Sequence, residues 1–356
     1  MMQPLATNDP LQLARPDILA LKPYSHASWN PALERLHANE LPWRVHGDQS
    51  LAGLNRYPEP QPAALVQRLA DLYGAEPQQL LVGRGSDEGI DLLTRAFCRA
   101  GEDAVLICPP TFGMYAVAAR IQGAGVVEVP LVAARGFALD VDAIVTRLAG
   151  VKLVYLCTPN NPTGNAIDPA AIEQVIRATA GRALVVIDEA YGEFCAAPSW
   201  VARIGSDPHV VVLRTLSKAH GLAGARIGSV IAAPAVIALL RRIIPPYALA
   251  QPTVEAALAA LEPAQLEIMR LRRDDILRER DVVAAALARK ACVRRVLPSA
   301  ANFVLVEFDD AASAFERIAG AGLIVRDFRG LMGVGEALRI TIGTPEQNSR
   351  MLGCLT

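Results

Sequence analysis

The sequence predicts an α/β protein whose large domain holds a mainly parallel seven-stranded sheet, followed by a smaller C-terminal α/β domain. Three observations carry that expectation. Short apolar, β-branched runs recur from about residue 79 onward, and helical patterns fall between several of them. The length, 356 residues, also exceeds what a single hydrophobic core fills, so two packed domains are expected.

Taken in order, residues 1–50 are rich in proline and weak in periodicity, which predicts an extended N-terminal arm with some short helix. Seven strand candidates follow: Leu80-Leu81-Val82, Ala104 to Cys108, Val126 to Val129, Lys152 to Cys157, Ala183 to Ile187, Val210 to Leu213 and Ile227 to Ala232. Their apolar residues are continuous rather than alternating, the mark of strands covered on both faces. Helices are expected between them, for example over Asp87 to Arg99 and Pro169 to Ala180. Past Pro263 the pattern changes to one long helical segment, Glu262 to Lys290. There Leu266, Met269, Ile276, Val283 and Leu287 fall at helix-compatible spacing. Phe303 to Phe308 and Leu338 to Ile342 are strand candidates of the smaller domain. The expected division is an arm over 1–50, a large domain over 51–260 and a small domain over 261–356.

Composition narrows the function classes. Hydrophobic residues make up 52% and charged residues 20%, the profile of a compact soluble protein. A formal charge of −1 supplies no attraction for nucleic acid or anionic lipid, so any phosphate recognition must be local. The six cysteines show no C-x-x-C spacing and several lie in apolar runs, which predicts free thiols in a reducing compartment. The five histidines share no ligand spacing, and no metal is expected. Met1 to Pro10 lacks the basic and apolar regions of a signal peptide. The most apolar stretch, Ile227 to Leu240, contains Pro234, is flanked by Arg226 and Arg241, and is too short to span a bilayer. A cytoplasmic protein with neither nucleic-acid nor membrane partners is expected.

Ligands of open α/β sheets bind beyond the carboxyl ends of the strands, and the informative residues of this chain sit there. Gly83-Arg84-Gly85-Ser86-Asp87-Glu88 follows the first run and Pro109 to Tyr115 the second. Thr158 to Gly164, Asp188 to Tyr191 and Thr215 to Lys218 follow later ones. Singly, each has a bland reading. The Gly-x-Gly-Ser loop is a helix cap with free N–H groups, and Glu88 stands where a dinucleotide fingerprint needs its third glycine. Asn161-Pro162-Thr163-Gly164 is a turn. Asp188 is a cap, Lys218 a surface lysine, and Tyr115 core packing. Together they answer the needs of one cofactor. An amine can bond an aldehyde, and a carboxylate can keep a pyridine nitrogen protonated. An amide and a phenol can polarise a ring oxygen. A guanidinium, a hydroxyl and a helix N-terminus can neutralise a phosphate.

Asn161, Asp188, Lys218 and Arg226 stand in the order and context of fold type I pyridoxal-phosphate enzymes, and the resemblance goes further. The chain resembles the histidinol-phosphate aminotransferases over nearly its whole length. The signposts are Lys22-Pro23-Tyr24, Leu36-His37-Ala38-Asn39-Glu40, Asn55-Arg56-Tyr57-Pro58, Gly83 to Leu93, Val325-Arg326-Asp327 and Leu338 to Thr344. That resemblance implies pyridoxal 5′-phosphate as cofactor and Lys218 as the Schiff-base lysine and proton shuttle. Asp188 is implied at the pyridine nitrogen, Asn161 and Tyr191 at the ring oxygen, and Tyr115, as a catalytic residue, stacked on the ring. Ser86, Asp87, Glu88, Ser217 and Arg226 are implied around the cofactor, chiefly its phosphate. Tyr57 would reach that phosphate from the other subunit of a homodimer. Tyr24, Asn39, Arg326 and Arg339 are implied as substrate-binding. The implied reaction is amino transfer between L-histidinol phosphate and 2-oxoglutarate, giving imidazole-acetol phosphate and glutamate in histidine biosynthesis. A threonine-phosphate decarboxylase and a broad aromatic aminotransferase are the alternatives of the same class. A cofactor-binding transcriptional regulator would need a DNA-binding domain, and the first 50 residues form no basic recognition helix.

Overall fold

A computed structural model describes residues 9–25 and 32–355. Most of the N-terminal stretch read for a signal peptide, residues 1–8, lies outside the described residues. The arm contains a 3₁₀ turn at Pro10–Leu13 and a short helix, α1 (Pro16–Ala20), each entered through a proline that pre-sets φ.

The large sheet is built from β1 (Leu80–Gly83), β2 (Ala104–Ile107), β3 (Gly125–Glu128), β4 (Val151–Cys157), β5 (Leu184–Asp188), β6 (Val210–Thr215) and β7 (Gly228–Ile231). Its spatial order is β1-β7-β6-β5-β4-β2-β3. Strands β2 to β6 pair in parallel, and β7 runs antiparallel to both β6 and β1. The continuous apolar runs explain this sheet. Val185, Ile187, Val210 and Val212 enter one core, while Leu184, Val186, Val211 and Leu213 enter the core on the opposite face. Each such side chain contributes about 1.5–3 kcal/mol by leaving water, which sets the register firmly.

Helices cover both faces: α2 (Ala63–Tyr73), α3 (Ser86–Phe97), α4 (Met114–Gln122), α5 (Val141–Thr146), α6 (Pro169–Thr179), α7 (Pro234–Leu240) and α8 (Gln251–Ala260). The long helix α9 (Pro263–Leu287) leads to a second sheet. That sheet holds β8 (Val293–Val296), β9 (Phe303–Phe308), β10 (Arg326–Asp327) and β11 (Ala337–Thr341), in the order β10-β11-β9-β8 with every pair antiparallel. Helices α10 (Ala311–Gly320) and α11 (Pro345–Gly353) join α9 over one face, where Val283, Leu287, Val304, Val306, Leu338 and Ile340 pack. Leu305 and Ala337, on the other face, join the core of the large sheet and so fasten the two sheets together. Among the described residues no helix is long and apolar enough to cross a membrane.

Candidate active site

One cavity of about 670 Å³ lies at the carboxyl ends of the parallel strands and is lined from both sheets. The register of the large sheet assembles it. Cys157, the last residue of β4, lies beside Asp188, the last residue of β5, and Thr215 at the end of β6 lies opposite Gly228 of β7.

Asp188 forms the floor and is 1% exposed. Its Oδ1 accepts from the Ala190 N–H at 3.0 Å, and its Oδ2 accepts from the Tyr115 hydroxyl at 2.7 Å. Burial pushes the carboxyl up to about 6, and the two donors pull the other way. Lys218 stands at the mouth, three residues past β6, with Nζ 5.6 Å from the Tyr191 ring centroid. Although the residue opens onto the cavity, desolvation of its amine lowers the pKa below the ordinary lysine value. The charges of Arg339 and Arg226 act in the same sense, against Asp87 and Asp188.

The opposite end is built to hold an anion. Helix α3 begins at Ser86, so the first N–H groups of the helix have no partner within it and carry the positive end of its dipole. Arg226 adopts a left-handed backbone (φ 56°), a conformation a residue other than glycine keeps only when its surroundings impose it. Its guanidinium reaches Asp87 Oδ2 at 3.0 Å and Ser217 Oγ at 3.5 Å. Two glycines make this closeness possible. A Cβ on Gly85 would lie 2.6 Å from Arg226 Nη2, and one on Gly228 would overlap the backbone of Gly85 and Ser86.

The third wall comes from the loop after β4. Buried Asn160 ties it to the loop after β2, accepting from Thr111 Oγ1 at 2.9 Å and donating to the Pro110 carbonyl at 2.8 Å. Asn161 Nδ2 donates to the Tyr191 hydroxyl at 3.4 Å, and Arg339 Nη1 donates to Asn161 Oδ1. Arg339 lies between the rings of Phe303 (5.1 Å) and Phe328 (5.3 Å), and its Nε is buried without a hydrogen-bond partner among the described residues. Arg326 faces Arg339 directly across the β10–β11 pair and packs on Phe328 at 6.0 Å. These donors fit pyridoxal phosphate: anion-binding N–H groups with Arg226 and Ser217 at one end, a buried carboxylate on the floor, and an amine between them.

Several expectations need correction. Tyr115 cannot stack on a ligand in the cavity. It is 0% exposed, stacked on Tyr155 (4.6 Å, 9°) and turned behind Asp188. Helix α4 starts at Met114, so Tyr115 lies in its first turn and faces the sheet, whereas Phe112, in the preceding loop, lines the cavity. Phe112 was missed although its segment was singled out; only the helix start separates the two aromatics. Glu88, expected at the cofactor, turns its carboxylate back onto the Arg84 N–H (2.7 Å) and guanidinium (2.5 Å), where it closes the loop. Tyr24 and Asn39, expected at the substrate, are not among the residues lining the Lys218 cavity within one chain, and neither is Tyr57, which was expected to act from the other subunit. Tyr57 stacks on Tyr247 at 4.6 Å and, with Asn39, lines a separate hollow of about 440 Å³. Sequence reading also missed the ion cluster that flanks Tyr191 in the loop after β5. Arg214, buried on β6, bonds Glu189 and Glu193 at 2.7 Å each.

Among the described residues no group of histidine, cysteine, aspartate or glutamate is placed to hold a metal ion. Comparison with known proteins agrees with the geometry. The family model described as aminotransferase class I and II matches residues 33–355. A histidinol-phosphate aminotransferase of Xylella fastidiosa (strain 9a5c) is 54% identical over 323 residues, covering 90% of this chain and 88% of that protein. One from Xanthomonas euvesicatoria pv. vesicatoria is 51% identical over 351 residues, covering 97% and 96%. Among solved structures, the Sinorhizobium meliloti histidinol-phosphate aminotransferase in complex with pyridoxal-5′-phosphate superposes with a TM-score of 0.74. It is 26% identical, over 84% of this chain and 81% of that one.

Proposed function

The chain belongs to the class I and II aminotransferases and, among them, to the histidinol-phosphate aminotransferases, and from that membership we propose how its cavity works. It is a fold type I pyridoxal-phosphate enzyme. It moves an amino group reversibly between L-histidinol phosphate and 2-oxoglutarate, giving imidazole-acetol phosphate and L-glutamate, a step of histidine biosynthesis. The observation that carries this reading is the convergence of Asp188, Lys218, Arg226 and the α3 N-terminus on one cavity, faced by Arg339 and Arg326 from the second sheet.

Bound pyridoxal phosphate supplies an aldehyde that carries the amino group and a protonated ring that accepts electrons from the substrate carbon. The chain's residues do the rest. Asp188 holds the proton at the pyridine nitrogen. Asn161 and Tyr191 would bind the ring oxygen, and Phe112 would cover a ring face. Ser86 and Asp87, through backbone N–H, hold the phosphate with Ser217 and Arg226. Lys218 would carry the proton between the substrate Cα and the cofactor's C4′, and its lowered pKa increases the fraction of neutral amine able to do so. Arg339 and Arg326 bind the substrates' anionic ends. A guanidinium fork pairs with either carboxylate or phosphate, so one pair of arginines serves both half-reactions.

The working unit is a homodimer with shared sites. The arm and the residue after it favour it, because Leu36 (97%), Trp43 (77%) and Leu51 (84%) are exposed in one chain, an apolar surface of the kind that marks an interface. Tyr57, Tyr24 and Asn39 then complete the partner's cavity rather than their own. We place the enzyme in the cytoplasm, where its six free thiols stay reduced. The division into 51–260 and 261–356, at the start of α9, is kept as part of this reading. The test is glutamate formation from histidinol phosphate and 2-oxoglutarate. Release of carbon dioxide from threonine phosphate in place of oxo-acid-dependent amino transfer would replace this reading with the decarboxylase.

A further inference from the structure

We propose that Tyr115 is a positioning residue that orients the Asp188 carboxylate and holds it ionised toward the cavity. This rests on the cofactor reading above for its purpose, though not for its geometry.

A buried ring here needs no hydroxyl for packing. Tyr115 lies flat on Tyr155 at 4.6 Å and edge-on to Phe112 at 5.6 Å, contacts that phenylalanine would make equally well. A buried phenol, in contrast, is costly unless it has a partner. The partner is Asp188 Oδ2 at 2.7 Å, while the other oxygen, Oδ1, takes the Ala190 N–H. With one donor behind each oxygen, the carboxylate plane is fixed and its remaining lone pairs are left for a donor in the cavity. Tyr155, the next layer, is itself held, within 3.2 Å of Thr94 Oγ1 and donating to the Ile90 carbonyl at 3.3 Å. The column from α3 through β4 to α4 thus ends on Asp188.

The electrostatic surroundings give the phenol a second task. Asp87 from α3, Tyr155 and Cys157 from β4, Glu189 and Tyr191 from the loop after β5, and Lys218 after β6 all face Asp188. The two acids and complete burial favour the protonated carboxyl, and the Tyr115 and Ala190 donors favour the anion. Ala190 donates from the backbone, so Tyr115 is the one side-chain donor to Asp188 among the described residues. Tyr115 is therefore the side chain that sets how readily Asp188 gives up its proton.

The test uses apoenzyme labelled with ¹³C-aspartate, the Asp188 carboxyl signal being assigned by its loss in Asp188→Asn. In Tyr115→Phe, which keeps the ring stack, Asp188 should titrate at least one pH unit higher than in the parent, a tenfold rise in proton affinity. The lower pH limit of pyridoxal-phosphate binding, followed by quenching of protein fluorescence, should move up with it. Tyr155→Phe, one layer back, should move neither. An unchanged Asp188 titration in folded Tyr115→Phe overturns the proposal, and so does an equal shift in Tyr155→Phe. Should Tyr115→Phe not fold by circular dichroism, the parent chain made with 3-fluorotyrosine gives the second measurement. Its more acidic phenol should lower the Asp188 titration, and no change overturns the proposal. Failure of the parent apoenzyme to bind pyridoxal phosphate would instead sink the cofactor reading, while the titration would still decide whether Tyr115 sets the Asp188 proton affinity.

Discussion

Asp188 has the ordinary carboxyl pKa of 3.8 in an unfolded chain and about 6 at the floor of the cavity. A raised folded-state pKa means that the stabilisation is fully present below pH 3.8 and lost as pH rises through 6. Between pH 5 and 7.5 the parent apoenzyme should therefore lose roughly 1 kcal/mol more stability than Asp188→Asn, which has nothing to titrate there. Urea denaturation of both at the two pH values measures this, and parallel pH dependence would rule it out. At the other side of the cavity the predictions concern charge. Arg339→Gln should impair both half-reactions if, as proposed, glutamate and histidinol phosphate share its guanidinium. Arg326→Gln should impair the histidinol-phosphate half more. Replacing histidinol phosphate by histidinol should lower kcat/KM at least about a hundredfold, since charge-assisted hydrogen bonds of about 1.5–3 kcal/mol each are lost. Phenylalanine turning over as well as histidinol phosphate would point to a general aromatic aminotransferase. At this scale the gathering of Lys218, Asp188 and Arg226 around one cavity was legible in the sequence, from their order and their places after successive strands. Side-chain direction was not legible. Phe112 and Tyr115 are both aromatics of one short segment, and only the start of α4 at Met114 sends one into the cavity and the other behind Asp188.

Among elements, β5 and β6 carry a load besides their apolar packing. Arg214 of β6 lies between Glu189 and Glu193, both just past β5, with side chains at most a tenth exposed. Glu189 also accepts from Ser199 Oγ (2.6 Å) and the Trp200 N–H (2.7 Å), so the cluster pins the loop that carries Tyr191. Arg214→Met would leave two buried carboxylates without their cation and should cost about 3–5 kcal/mol in chemical denaturation. A loss below about 1 kcal/mol would mean that the loop relaxes to hydrate them. The elements readable beforehand were those with apolar runs, all seven strands of the large sheet with β9 and β11, and those with helical spacing, such as α3, α6 and α9. Two strands of the second sheet escaped. β8 carries two arginines among its four residues and β10 has only two residues, Arg326 and Asp327. Both are edge strands, where one side of the ladder faces solvent and hydrophobic periodicity has little to act on.

At the scale of the whole molecule the test is subunit mixing. Heterodimers of Tyr57→Phe and Lys218→Ala chains should contain one site with both lesions and one with neither. Provided the Phe variant alone is impaired, that intact site should lift activity above the mean of the two parents. Activity equal to the mean after verified exchange would show that each site is built from one chain. The exposed apolar arm, which motivates this test, was legible only as an extended arm, because no pattern within one chain states what an exposed leucine touches. The two sheets, fastened through Leu305 and Ala337, divide the site between them. Ser217, Lys218 and Arg226 all lie on the short connection from β6 to the reversed strand β7, whose ends are held in register by the Thr215–Gly228 pair. That connection works as a caliper. Its span is set by a local stretch of backbone, so the gap between amine and phosphate grip is insensitive to how the rest of the chain settles. The jaw proposed to hold substrate, Arg326 and Arg339, is mounted on the other sheet and has no such gauge. Wear on the contact between the sheets, by mutation or by heat, should therefore blunt discrimination among substrates well before it loosens the hold on the cofactor.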